Sequence, residues 1–158
     1  MHRVLIVANQ TIGSAELTAA VNDRIAAGPS RFHLLVPVPP TPPSAISVGL
    51  AAVESAATAF MVLPDLRALA DERLVTGLDW LHRLGADATG EVGAIDTLGA
   101  VLAVVERGDV DEIVVSTLPS RISKWLRQDL PHKIEKSVSI PLVVVETSTA
   151  PAGSQESQ

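Results

Sequence analysis

Residues 111–146 read DEIVVSTLPSRISKWLRQDLPHKIEKSVSIPLVVVE. The stretch opens on a strand-like run, Ile113, Val114 and Val115, and closes on another, Leu142 to Val145. A hydroxyl-rich turn and a basic helix lie between them, which is the outline of a βαβ unit. In such a unit the helix N-terminus faces the space above the sheet, where phosphate is commonly held. The glycines that let a phosphate approach the backbone are missing from this turn.

Outward from it, the same alternation continues. Residues 4–8 are a continuous apolar run, the mark of a strand buried on both faces. Residues 14–27 show helical spacing (Leu17, Val21, Ile25) and stop at Gly28 and Pro29. Residues 32–38 read as a second strand, ended by PVPPTPP, which no helix or sheet interior absorbs. Residues 44–63 are helix-compatible but weakly patterned, and residues 65–84 are a stronger helix closed by Gly85. Residues 87–92 form a short, poorly apolar strand expected near a sheet edge, and residues 95–106 a helix that Gly108 caps. The order β-α-β-insert-α-β-α-β-α-β implies a parallel sheet with right-handed crossovers and helices on both faces. Ligands in such sheets gather at the carboxyl ends of the strands, where strand order reverses. With strand one beside strand four, residues 9–14 and 116–123 face that crevice.

Composition narrows the function classes. The 158 residues fit one domain, residues 1–147, followed by a tail at 148–158 that reads as disordered. No cysteine is present, which removes disulfides and thiol chemistry and is compatible with a cytoplasmic location. A net charge of -6 and 3% aromatics argue against nucleic acid as a partner. No export signal is read at the N-terminus. Residues 45–63 approach the length of a membrane span, but Glu54 at their centre and their Ala, Ser and Thr content argue for a soluble helix. Nine Arg against three Lys, with abundant Ala and Val, match the usage of a GC-rich bacterial genome.

With the two crevice loops placed, the chain resembles a universal stress protein domain over residues 4–146. The resemblance rests on VLIVAN in strand one, GDVDEIVVST into strand four, and SVSIPLVVV at the end. It implies an α/β fold with a five-stranded parallel sheet of order 3-2-1-4-5. This is a Rossmann-like three-layer sandwich of the adenine nucleotide alpha hydrolase type, commonly dimeric. ATP-binding members of the family carry Gly-x2-Gly-x9-Gly-Ser/Thr after strand four. Laid on this chain, Ser116 and Pro119 stand at the first two glycines, and Asp129 and Leu130 at the final pair. Pro119 has no N–H to donate and cannot adopt the positive φ of a glycine. Asp129 places a negative charge near the expected phosphates. Asn9 stands where ATP-binding members usually carry an acidic residue after strand one.

Other chemistry remains in the crevice loops. Ser116, Thr117, Ser120 and Ser123 supply hydroxyls near a helix start, with Ser120 as a candidate N-cap. Arg121, Lys124 and Arg127 follow, with Lys133 and Lys136 beyond, so five of the 12 basic residues fall in one helical stretch that Pro131 should kink or break. These groups form either an anion site or a capped, solvated helix. In the first loop Asn9, Gln10, Thr11, Gly13 and Ser14 either contact a ligand or cap and turn into the first helix. His2, His33, His82 and His132 show no metal spacing. His82 and Asp79 read as a surface pair, and Asp109, Asp111 and Glu112 as a solvated cluster. Trp125 reads as core or interface packing. No GxxxxGK[ST], GxGxxG or GxSxG is present, and no nucleophile has an adjacent base, so no catalytic residue is assigned.

The reading is therefore a non-enzymatic regulatory or interaction domain with no resident cofactor, homodimeric through the last strand. The alternative is a nucleotide- or anion-binding module, taking ATP, AMP or another small anion in a modified crevice.

Overall fold

A computed structural model describes residues 1–38, 65–119 and 129–148. Five strands, β1 (His2–Val7), β2 (Ser30–Val36), β3 (Asp87–Val92), β4 (Glu112–Thr117) and β5 (Leu142–Glu146), form one parallel sheet. Their order is β3-β2-β1-β4-β5, as the resemblance implied. Four helices are found among the described residues: α1 (Ala15–Ala27), α2 (Leu66–Arg83), α3 (Thr97–Glu106) and α4 (Leu130–Ser137).

The central position of β1 explains its unbroken apolar run. Val4, Ile6 and Ala8 face a layer made by α1 and α2, with Leu17, Val21, Ala70 and Leu81. Leu5 and Val7 face the opposite layer, with Val101 and Val104 of α3 and Leu130 and Ile134 of α4. Each buried Val, Leu or Ile among these stabilises the fold by about 1.5–3 kcal/mol relative to exposure. The first layer is pressed close at Gly90, where an added Cβ would lie 2.7 Å from both the Leu34 carbonyl oxygen and Leu74 Cδ1.

The two edges differ. β3 alternates, turning Ala88, Gly90 and Val92 to the α1–α2 layer and Asp87, Thr89 and Glu91 to the other face. Those three pair across to β2 through Arg31 and His33. β5 is apolar yet half open, with Val143 and Val144 exposed by 38% and 39%.

Helix ends follow local chemistry. Ser14, Asp65 and Asp96 each accept an N-terminal backbone N–H of the helix that follows, from Leu17, Ala68 and Gly99. The third helix thus begins after its Asp96 cap rather than at Ile95, which is exposed. Pro131 does not kink α4 but lies in its first turn, where its missing N–H costs nothing. Just before it stands Asp129, the N-cap, with a left-handed φ of 59°. Lys133 and Lys136 lie in α4, and Arg121, Lys124 and Arg127 lie outside the described residues. Outside them too are the weakly patterned residues 44–63 and Trp125. Thr147, the last residue of the expected domain, and Ser148, the first of the expected tail, are held in place. Thr147 donates its N–H to the Thr117 carbonyl at 2.9 Å, and Ser148 donates to Glu16.

Candidate functional site

Parallel pairing of β1 with β4, and the departure of their following helices to opposite faces, create the crevice at the carboxyl edge. Asn9 leaves β1 into it and is nearly buried. Its Nδ2 donates to the Pro37 carbonyl beyond β2 at 2.7 Å, and its Oδ1 accepts from the guanidinium of Arg73 in α2. Next along the loop, Thr11 Oγ1 donates to the Ser116 carbonyl at 3.3 Å, and Ser116 Oγ donates to Thr11 Oγ1 at 2.7 Å. Gly13 takes φ 82° to complete the turn, and Ser14 caps α1. Gln10 is exposed.

At the end of β4, Thr117 is 2% exposed and its hydroxyl has no hydrogen-bond partner among the described residues. Its carbonyl accepts from both the backbone N–H and the hydroxyl of Thr147. Glu16, in the first turn of α1, is held below the usual carboxylate range by hydrogen bonds from the Ser148 hydroxyl and backbone. The structure thus brings Asn9, Thr11, Ser116 and Thr117 to one edge of the sheet. Ser120, Arg121, Ser123 and Lys124 lie outside the described residues.

Arg73 is the group that sequence reasoning did not find. It lies 64 positions from Asn9, on a helix whose pattern reports only which face is apolar. No local signal ties it to the crevice.

The opposite, amino edge carries a charge network where only a solvated acidic cluster was expected. Arg3 binds Asp111 at 3.0 Å and also reaches Asp109, while Arg24 of α1 and His2 both bind Glu112. His82 does not pair with Asp79. Its Nε2 lies 3.2 Å from the Ala88 carbonyl oxygen, and Asp79 pairs with Arg83 one turn on. A cleft of about 350 Å³ near this edge is lined by Arg3, Arg31, His33 and Arg107. Each of these side chains is already bonded to a carboxylate.

No protein-family model and no curated protein sequence matches the chain. Solved structures do. A universal stress protein family member from Arabidopsis thaliana with AMP bound superposes with a TM-score of 0.61 at 12% identity, covering 97% of each chain. A universal stress protein in complex with cAMP gives 0.57 at 18% identity, over 93% of this chain and 98% of the other. The universal stress protein of Archaeoglobus fulgidus in complex with dAMP gives 0.56 at 12%, over 92% and 98%. The chain has the universal stress protein fold. Among the described residues, no helix is long and apolar enough to cross a membrane.

Proposed function

We propose that the chain is a non-enzymatic regulatory or interaction domain on the universal stress protein fold, cytoplasmic and homodimeric, and not organised around the triphosphate of ATP. One observation carries this reading. The crevice side chains Asn9, Thr11 and Ser116 spend their polar atoms on one another, on Arg73 and on backbone carbonyls. A ligand that used them would first have to break those bonds. Ser116 and Pro119 at the glycine positions support the same reading, because backbone N–H groups that wrap phosphate need conformations glycine permits. The dimer is supported by β5, an edge strand whose valines are half exposed where a second copy would cover them.

A second reading, a modified crevice that holds a nucleotide or another anion, is favoured by the Thr117 hydroxyl. It is buried at the carboxyl edge with no partner among the described residues, and a bound ligand would satisfy it. The fold neighbours solved with AMP, cAMP and dAMP lend it weight.

Thermal-shift titration with ATP, AMP, cAMP and phosphate separates the two. Stabilisation by a nucleotide below millimolar concentration sinks an interaction-only domain, and no shift with any anion sinks the ligand-binding one. A monomeric mass in light scattering rejects the dimer.

A further inference from the structure

Three arginines among the described residues are half-buried: Arg3, Arg24 and Arg73. Two are neutralised, Arg3 by Asp109 and Asp111 and Arg24 by Glu112. Arg73 has no carboxylate partner among the described residues. Of the five N–H donors of a guanidinium, one is engaged among the described residues, on Asn9 Oδ1. A partly desolvated cation without a counter-ion is unfavourable, and that cost is relieved when an anion arrives.

The guanidinium is also held in place. Asn9 is nearly buried, and its Nδ2 is fixed on the Pro37 carbonyl at 2.7 Å, so its Oδ1 must face Arg73. A reversed amide would set an NH2 group against the guanidinium and an oxygen against a carbonyl, both repulsive. Asn9 thereby steers Arg73 to the carboxyl ends of β1 and β2, the edge at which parallel sheets collect ligands. A guanidinium so oriented presents its remaining donors as a fork that matches the paired oxygens of a carboxylate or phosphate.

We propose that Arg73, positioned by Asn9, anchors an oxyanion subsite between the carboxyl ends of β1 and β2, separate from the turn after β4. The subsite takes a carboxylate or phosphate group of a small anion. It rests on the second reading above, and it moves the anion-holding charge from Arg121 and its neighbours to α2.

The test is a titration of the full chain with AMP, inorganic phosphate and acetate at constant ionic strength, followed by thermal shift and by NMR of the Asn9 side-chain amide. Wild type, Arg73→Gln, Arg73→Lys and Arg121→Ala are compared, with circular dichroism confirming that each is folded. The expected result is binding by wild type and by Arg121→Ala, weakened about ten- to a hundredfold in Arg73→Gln. Arg73→Lys, which keeps the charge without the fork, falls between, and the Asn9 amide resonances move on saturation. Acetate acting alone identifies a carboxylate ligand, whereas AMP or phosphate acting alone identifies a phosphoryl one. Equal binding by wild type and Arg73→Gln overturns the subsite and leaves the ligand-binding crevice standing. No anion binding by wild type overturns both.

Discussion

Arg24 of α1 donates to both carboxylate oxygens of Glu112, the first residue of β4, fastening a helix on one face to the central sheet. Both side chains are largely shielded, at 18% and 13% exposure. Their pairing therefore outweighs that of a surface ion pair. Glu112→Ala strands the guanidinium and is expected to cost about 2 kcal/mol, a fall in Tm of roughly 4–8 °C for a domain of this size. Calorimetry showing a change within 1 °C would contradict that weight.

The same carboxylate gives the fold an acid limit. Burial alone would raise the Glu112 carboxyl, but hydrogen bonds from Arg24 and His2 prevail and hold it below the usual range. Glu91 is held down in the same way, by Arg107 and His33 against its burial. A carboxyl whose folded pKa lies below its unfolded value near about 4.3 contributes fully above that value. The contribution is lost as pH falls through the folded pKa. Urea midpoints measured from pH 7 down to pH 3 should decline most steeply below about pH 4.5, and Glu112→Gln should flatten that decline.

Gly90 tests how tightly β2 and α2 crowd β3. A methyl group there meets a backbone oxygen, which cannot yield as a side-chain tip can. Gly90→Ala is expected to lower stability by about 1–3 kcal/mol, read as a reduced urea midpoint at unchanged m-value.

Thr117→Val should act in the opposite direction. It removes a buried hydroxyl that has no partner among the described residues and nearly keeps the shape, so stability should rise by about 1 kcal/mol. If the hydroxyl serves a ligand, the same variant binds that ligand more weakly. A fall in Tm would show that the hydroxyl is satisfied in solution.

Val143 and Val144 test the proposed dimer. Introducing Val144→Lys at the half-exposed edge places a charge in the pairing surface, which edge strands use to block association. The variant should elute and scatter as a monomer while keeping its circular dichroism. A dimeric mass would move the interface elsewhere.

The sheet was legible in the sequence because a parallel core strand advertises itself without reference to its neighbours. VLIV in β1 and IVV in β4 are apolar at every position, and only burial on both faces explains that. Caps were legible for the same local reason, Ser14 before α1 and Gly108 after α3. Pro131 leaves α4 unkinked because a proline breaks or begins a helix according to where the helix starts, which residue types alone do not say and which the left-handed Asp129 sets here. The site was less visible. Arg73 reaches Asn9, and Arg3 reaches Asp111, through contacts made only once the sheet is assembled. A cluster of like charges in sequence, such as Asp109 to Glu112, gives no hint of the cations that fold against it.

The polar face of β3 has a consequence for how the molecule opens. One side of this strand is gripped by α2 through Gly90, but the other is joined to β2 by Arg31–Asp87 and by His33 with Thr89 and Glu91. The Arg31–Asp87 pair is exposed and weakens as salt is added, while the oily contacts of β1 and β4 do not. Ionic strength is thus a control on one border of the sheet. Amide exchange in β3 should quicken with sodium chloride while β1 and β4 keep their protection, so that the strand beside the crevice-forming Pro37 loosens before the rest.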